Sequence, residues 1–236
     1  MMGSRGLVIY YLIFMISKII HYFWAGGEEN HPNFRKRWKA LHPGWIIQRW
    51  DDQNIVVNNE YLKNAFANNN WAKVSDYVRL WALWQFGGVY LDADVELLKP
   101  LDDLLNHQFF CGFQCSDPAR YLNSAVLGAE PSHTNVILMY GKLVNGFTGL
   151  EKDDSTGPGV ITEHFREALP ASVDVERDYQ LSHGSVILGK SRFYPYTWAE
   201  KFDPKCVRSG TYGIHHWDLS WWQGRATPFQ TFNPFS

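Results

Sequence analysis

The sequence has little of several things that would have settled its class at once. Of its 236 residues only three are cysteine, Cys111, Cys115 and Cys206. An odd number in a chain this long argues against a disulfide framework, and Cys111 and Cys115 have no matching second pair to complete a zinc site. Buried free thiols are the expectation. Net charge is scarce as well: 22 basic against 24 acidic residues leave a formal charge of -2. That gives no overall field to gather nucleic acid or another polyanion, so an anionic ligand has to be met by local groups.

Long apolar runs are missing too. Leu7 to Ile16 is apolar after Arg5 and ends at Lys18, but ten residues fall short of the roughly 20 that a helix needs to cross a bilayer core. No small-residue cleavage site follows. The expectation is a cytoplasmic chain whose amphipathic start is able to touch a membrane peripherally, with a signal-anchor role left open. Repeats and low-complexity tracts are also lacking.

Aromatic residues, by contrast, are plentiful, at 16% of the chain with 11 tryptophans. Most belong to a core rich in large rings, and a few suit a groove in which sugar C–H faces stack on rings.

Punctuation by glycine and proline divides the chain into alternating strands and helices. Lys18 to Trp24 reads as a strand ending at Gly26-Gly27, Pro32 to Leu41 as a helix stopped by Pro43-Gly44, and Trp45 to Trp50 as a second, buried strand. Asn58 to Phe66 and Trp71 to Phe86 read as helices, the second stopped by Gly87-Gly88, after which Val89-Tyr90-Leu91 is a short strand. Further along come a helical turn at Leu101 to Asn106, strands at Phe109 to Phe113 and Ala125 to Ala129, and helices at His133 to Val144 and Val160 to Leu169. This alternation predicts an α/β fold with a mostly parallel central sheet flanked by helices, whose ligands bind at the carboxyl ends of the strands.

Asp92-Ala93-Asp94 stands at such a carboxyl end. In extended backbone, residues two apart point the same way, so the two carboxylates are able to share one hard divalent cation, Mn²⁺ or Mg²⁺. An Asp-x-Asp alone is common in solvated loops. A calcium-binding EF-hand loop starting at Asp92 would need Gly at its sixth position and Glu at its twelfth, where this chain has Leu97 and Asp103. Upstream, Asp76 and Arg79 are three apart on one face of an otherwise apolar helix. An intrahelical ion pair is the plain reading. A polar ligand is the sharper one, because a buried ion pair needs compensation.

Three segments taken together resemble the DXD sugar-binding region of glycosyltransferase family 32, a family of mannosyltransferases and of bacterial capsule and oligosaccharide transferases. They are Trp24-Ala25-Gly26-Gly27, Ser75-Asp76-Tyr77-Val78-Arg79, and Gly87-Gly88-Val89-Tyr90-Leu91-Asp92-Ala93-Asp94. The resemblance runs from Lys18 to about Trp222. It implies an apolar extension over 1–17 and a single GT-A catalytic domain over 18–236, which retains configuration while moving a hexose from a UDP- or GDP-sugar to a glycan or glycolipid hydroxyl. It also implies a Mn²⁺ or Mg²⁺ cofactor.

By position, the resemblance implies that Asp92, Asp94, Asp76 and Arg79 are catalytic. Trp24, Asp76, Arg79, Tyr90, Asp92, Asn123 and Trp221 would bind the donor, with Trp24 on the nucleobase and Trp222 an alternative to Trp221. The metal would be held by Asp94 directly, by Asp92, and by His215 from Ile214-His215-His216-Trp217, with His216 as the alternative imidazole. Gly157-Pro158-Gly159 resembles a segment near the acceptor. Two other readings remain at this stage: a metal-dependent phosphohydrolase of nucleoside diphosphates, and a non-catalytic carbohydrate-binding module.

Overall fold

The computed structural model describes residues 15–118 and 121–218. The order of elements starts β1 (Ile19–Phe23), α1 (Pro32–Leu41), β2 (Ile46–Trp50), α2 (Glu60–Ala67), α3 (Trp71–Phe86), β3 (Gly88–Leu91) and β4 (Val95–Leu97). It continues with β5 (Phe109–Phe113), β6 (Leu122–Ala129), α4 (Thr134–Gly146), α5 (Val160–Phe165), β7 (Tyr179–Gln180), β8 (Ser185–Leu188) and β9 (Gly213–His215).

Seven strands form one sheet in the order β2-β1-β3-β6-β5-β8-β7, and β4 pairs with β9 in a separate ribbon. The α/β class matches the expectation, but the sheet is mixed rather than mostly parallel. β1 is parallel to both β2 and β3, and β5 is parallel to β8. β6 runs antiparallel to both β3 and β5, and β7 runs antiparallel to β8. A helix crossover delivers a parallel strand, whereas the path from β3 to β6 passes through β4 and β5 with no such crossover, so β6 enters reversed.

Both sheet faces are covered, following the period of two along each strand. Phe23, Tyr90, Phe109, Cys111 and Phe113 pack with α2, α3, α4 and α5 on one face. Ile20, Tyr22, Val89, Leu91 and Phe110 pack with Trp38 of α1, and with Leu101, Leu104 and Leu105, on the other. Ile16 joins this second core at 2% exposure, so a residue ahead of the expected boundary at residue 18 is already packed. β2 is a partly exposed edge strand, with Ile46 58% exposed, rather than the buried strand expected. Cys111 is buried, whereas Cys115 and Cys206 are half-buried, and no disulfide joins any of them among the described residues. Among the described residues no helix is long and apolar enough to cross a membrane. Most of the Leu7 to Ile16 stretch lies outside the described residues, as do Ser220, Trp221 and Trp222.

α3 carries the architecture of the site. Asp76, Arg79 and Lys73 are buried along it together with Val74, Tyr77, Val78, Leu80, Ala82 and Leu83, so it is enclosed on more than one side. Its end is fixed by Gly87 and Gly88, at φ 62° and 102°. A Cβ on Gly88 would sit 2.6 Å from the Ile19 carbonyl oxygen, and one on Gly87 2.6 Å from the Pro131 ring. Only glycine fits these two positions. His21 lies 2.9 Å from the Gly87 carbonyl through Nε2, while Trp50 Nε1 donates to its Nδ1 at 3.1 Å. Those partners require the neutral tautomer with the proton on Nε2. Burial pushes the His21 pKa down to about 4, only partly opposed by the Gly87 bond.

Candidate functional site

The Asp-x-Asp segment is a tight turn rather than the extended run assumed above. Asp92 N–H donates to the Ala125 carbonyl in the middle of β6, Ala93 and Asp94 form the turn, and Val95 N–H returns to the Asp92 carbonyl at 3.0 Å. β4 then starts, and its first residue, Val95, pairs with His215 of β9. This pairing brings His215 to the turn from more than a hundred residues away. One carboxylate oxygen each from Asp92 and Asp94 and one ring nitrogen of His215 lie within 4.8 Å of one another.

Strand alternation separates the two histidines. His215 Nε2 is 3.3 Å from Asp94 Oδ1, whereas His216 faces away and sits 3.0 Å from Glu96. Among the described residues the buried His215 Nδ1 has no hydrogen-bond partner. Two carboxylates and an imidazole converging at this distance fit a hard or borderline divalent cation such as Mg²⁺ or Mn²⁺. Asp94 is held through backbone and side chain alike: His216 N–H donates to its carbonyl at 3.2 Å and Asp218 N–H to its carboxylate Oδ2 at 2.7 Å.

On the other side of Asp92 lies Arg79. Its Nη2 is 3.3 Å from Asp92 Oδ1 and 3.2 Å from Asp76 Oδ1, so one guanidinium pairs with both carboxylates. Its remaining donors go to Ser75 Oγ, the Ser75 carbonyl and Ser124 Oγ, and Ser75 Oγ is 2.8 Å from Tyr90 Oη. Asp76 thus makes the intrahelical pair that the spacing suggested, and more. Thr156 Oγ1 donates to its Oδ2 at 2.6 Å, and Lys73 Nζ approaches to 3.8 Å.

The electrostatics make the two acids of the turn unequal. Burial raises the Asp92 pKa and Asp94 adds to that, while Arg79 opposes. For Asp94 burial also acts upward, but His215, through charge and hydrogen bond, and the Asp218 N–H outweigh it and bring the carboxyl down to about 2. His215 is disfavoured as a cation by burial, yet Asp94 and Asp92 together push its pKa up.

Other expected residues stand as follows. Tyr90 is fully buried beneath Arg79, whose Cζ is 5.1 Å from its ring centre. Asn123 is buried with its amide turned inward, donating to Gln114 Oε1 and accepting from Ala125 N–H, both at 2.6 Å. Its neighbour Ser124 is the residue that reaches Arg79. Trp24 lies half-buried just after β1, and its Nε1 has no hydrogen-bond partner among the described residues. Gly157 sits against Asp76 rather than standing apart: a Cβ there would lie 2.6 Å from Asp76 Oδ1 and 3.0 Å from Ser124 Oγ. Thr156 and Ser124 were not anticipated. Their signal was adjacency, to Gly157-Pro158-Gly159 in one case and to Asn123 in the other.

Comparison with known proteins bears on this geometry. Residues 28–111 match the family described as glycosyltransferase sugar-binding region containing DXD motif. An uncharacterized glycosyltransferase of Acanthamoeba polyphaga mimivirus is 31% identical over 131 residues, covering 50% of this chain and 52% of the relative. Human lactosylceramide 4-alpha-galactosyltransferase is 30% identical over 155 residues, 61% of this chain and 41% of the relative. Human alpha-1,4-N-acetylglucosaminyltransferase is 25% identical over 177 residues, 69% and 48%. The chain thus spans about half the length of these curated relatives.

Among solved structures, the PaToxG glycosyltransferase superposes with a TM-score of 0.52 at 16% identity, covering 65% of this chain and 70% of that one. The apo-form glycosyltransferase GlyE of Streptococcus pneumoniae gives 0.52 at 11%, covering 89% and 57%. At such identities the likeness is one of fold, the GT-A fold. Asp76, Arg79, Asp92 and Asp94 all lie inside the matched region, so residues 28–111 of this chain are similar to the sugar-binding region of glycosyltransferases that carry the DXD motif.

Proposed function

We propose that this chain is a metal-dependent, retaining hexosyltransferase that uses a UDP- or GDP-sugar as donor and a hydroxyl of a glycan or glycolipid as acceptor. The observation that carries the reading is the placement of Asp92 between two sets of groups: Asp94 and His215 on one side, Arg79 and Asp76 on the other. Asp94, His215 and Asp92 would hold Mn²⁺ or Mg²⁺. When bound, that ion supplies charge stabilisation to the departing nucleoside diphosphate.

The protein's own contribution is positioning. Arg79 fixes Asp76 and Asp92 as hydrogen-bond acceptors for sugar hydroxyls, and Thr156 and Ser124 hold those acceptors and Arg79 in turn. The half-buried Trp24 offers a ring on which the base would stack. Rate enhancement then comes from orientation and from preorganised charge rather than from a protein nucleophile. In a same-face transfer the acceptor oxygen bonds to the anomeric carbon as the diphosphate oxygen leaves, and that leaving oxygen takes the acceptor proton. The names of the human relatives both specify an alpha linkage, and transfer with retention from an alpha-linked nucleotide sugar gives such a product.

Thermal shift with UDP- and GDP-sugars tests the reading, because a ligand bound only by the folded state raises its stability by mass action. Stabilisation by one nucleotide class that needs Mn²⁺ and vanishes with chelator is the expected result. Equal stabilisation with chelator present would contradict a metal-bridged diphosphate. The product's anomeric configuration, read by proton NMR, tests retention separately.

A further inference from the structure

Glu29, in the loop between β1 and α1, is a carboxylate that no catalytic role uses, and its side chain is only 14% exposed. Three donors converge on it. Tyr22 donates its hydroxyl to Oε1 at 2.8 Å, Arg35 donates Nε to Oε2 at 3.0 Å, and Arg49 Nη1 lies 3.6 Å from Oε1.

The two arginines reach opposite ends of the proposed donor site. Arg35 donates Nη2 to the carbonyl of Ala93, the middle residue of the Asp-Ala-Asp turn. Arg49 donates Nη2 to the carbonyls of Gly26 and Trp24, at 2.9 and 3.3 Å, in the segment that carries the base-stacking ring. Both guanidiniums are constrained. Arg35 lies over the Trp38 ring at 3.8 Å and over the Tyr22 ring at 4.8 Å, and Arg49 Nε is 3.4 Å from Asp51. Burial acts against the charge on Arg35 and Glu29 is the chief counterweight. A cation enclosed this way holds its aim only while its anion is in place.

We propose that Glu29 is a positioning residue that couples the two ends of the donor site. Through Arg35 it sets the Ala93 carbonyl, and with it the spacing of Asp92 and Asp94. Through Arg49 it sets the carbonyls of Trp24 and Gly26. This rests on the donor-site reading given above for its functional meaning, while the coupling itself is a property of the fold. A side chain that only filled space would loosen its own loop when altered and leave the metal turn unaffected.

Hydrogen exchange on the full chain separates these cases, since Trp24 N–H bonded to Trp50 and Val95 N–H bonded to Asp92 report on the two segments. In Glu29→Gln both segments should exchange about tenfold faster than in the parent, with the rest of the sheet unchanged. Arg35→Lys should speed only 92–95, and Arg49→Lys only 24–27. Faster exchange confined to one segment in Glu29→Gln, or spread evenly over the sheet, would overturn the coupling. Should Glu29→Gln not fold, the two lysine variants decide it: either one moving both segments, or leaving its own unmoved, overturns it. Calorimetry with Mn²⁺ and UDP or GDP as probes, on the same proteins, should show weaker nucleotide binding in Glu29→Gln. If the parent itself binds neither nucleotide in a Mn²⁺-dependent way, the donor reading fails while the exchange result still judges the coupling.

Discussion

The two halves of the site are built on opposite principles. Asp76 and Arg79 sit three residues apart on one buried helix and are satisfied internally by Ser75, Ser124 and Thr156. Asp94 and His215 are brought together by a three-residue ribbon across more than a hundred residues of chain, and His215 keeps a buried nitrogen without a partner among the described residues. The helical half has its charged groups paired within the protein itself. The ribbon half leaves capacity for a cation. Under the proposed function, holding sugar hydroxyls in fixed directions while admitting a metal with its diphosphate calls for both kinds of construction.

The comparison is broken most forcefully at Arg79. Replacing it with Met leaves two carboxylates without their shared cation, and removing one partner of a buried ion pair costs about 3–5 kcal/mol. Chemical denaturation of Arg79→Met should show that loss, whereas Asp94→Asn should lose far less stability. Equal losses would mean that the helical half is no more preassembled than the ribbon.

Acid strains the helical half next, through the corner at Gly87. The folded pKa of His21, near 4, lies below its unfolded value of 6.5, so its neutral form contributes stability that is full above pH 6.5 and is lost as pH falls toward 4. The linkage amounts to about 3 kcal/mol. Denaturation midpoints for the parent and His21→Gln across that window check it: the parent should fall more steeply, and parallel curves would count against it.

Two smaller effects separate the halves. Thr156→Val removes one hydrogen bond to Asp76, worth about 1–2 kcal/mol because it leaves a buried acceptor short of a donor. It should raise the donor-sugar KM without changing Mn²⁺ affinity. His215→Ala should weaken Mn²⁺ binding about 10- to 100-fold, with His216→Ala closer to the parent because its ring faces Glu96. The reverse order of the two histidines would disprove the assignment of His215.

Legibility in the sequence follows the same division. α1 and α3 have the bounds that proline, glycine and apolar spacing predict, and β5 does as well. Asp76 and Arg79 were readable because a helix places residues three apart on one face whatever surrounds it. β4 and β9 were not, since three residues carry no periodicity and their pairing is non-local. The choice of His215 over His216 needed that register. The mixed direction of the sheet escaped for a related reason: alternation of elements says which strands exist, not which way each one enters. Asn123 donates its amide to Gln114, nine residues earlier, a contact that only the strand pairing reveals.

Transfer activity measured with saturating Mn²⁺ and the donor identified by thermal shift, in the parent and in Asp92→Ala and Asp94→Ala, tests the central claim most directly. Both variants should fold, and activity should fall at least about 100-fold in each, with Asp94→Ala the more severe and no rescue by added metal. Full activity in both variants would contradict the account.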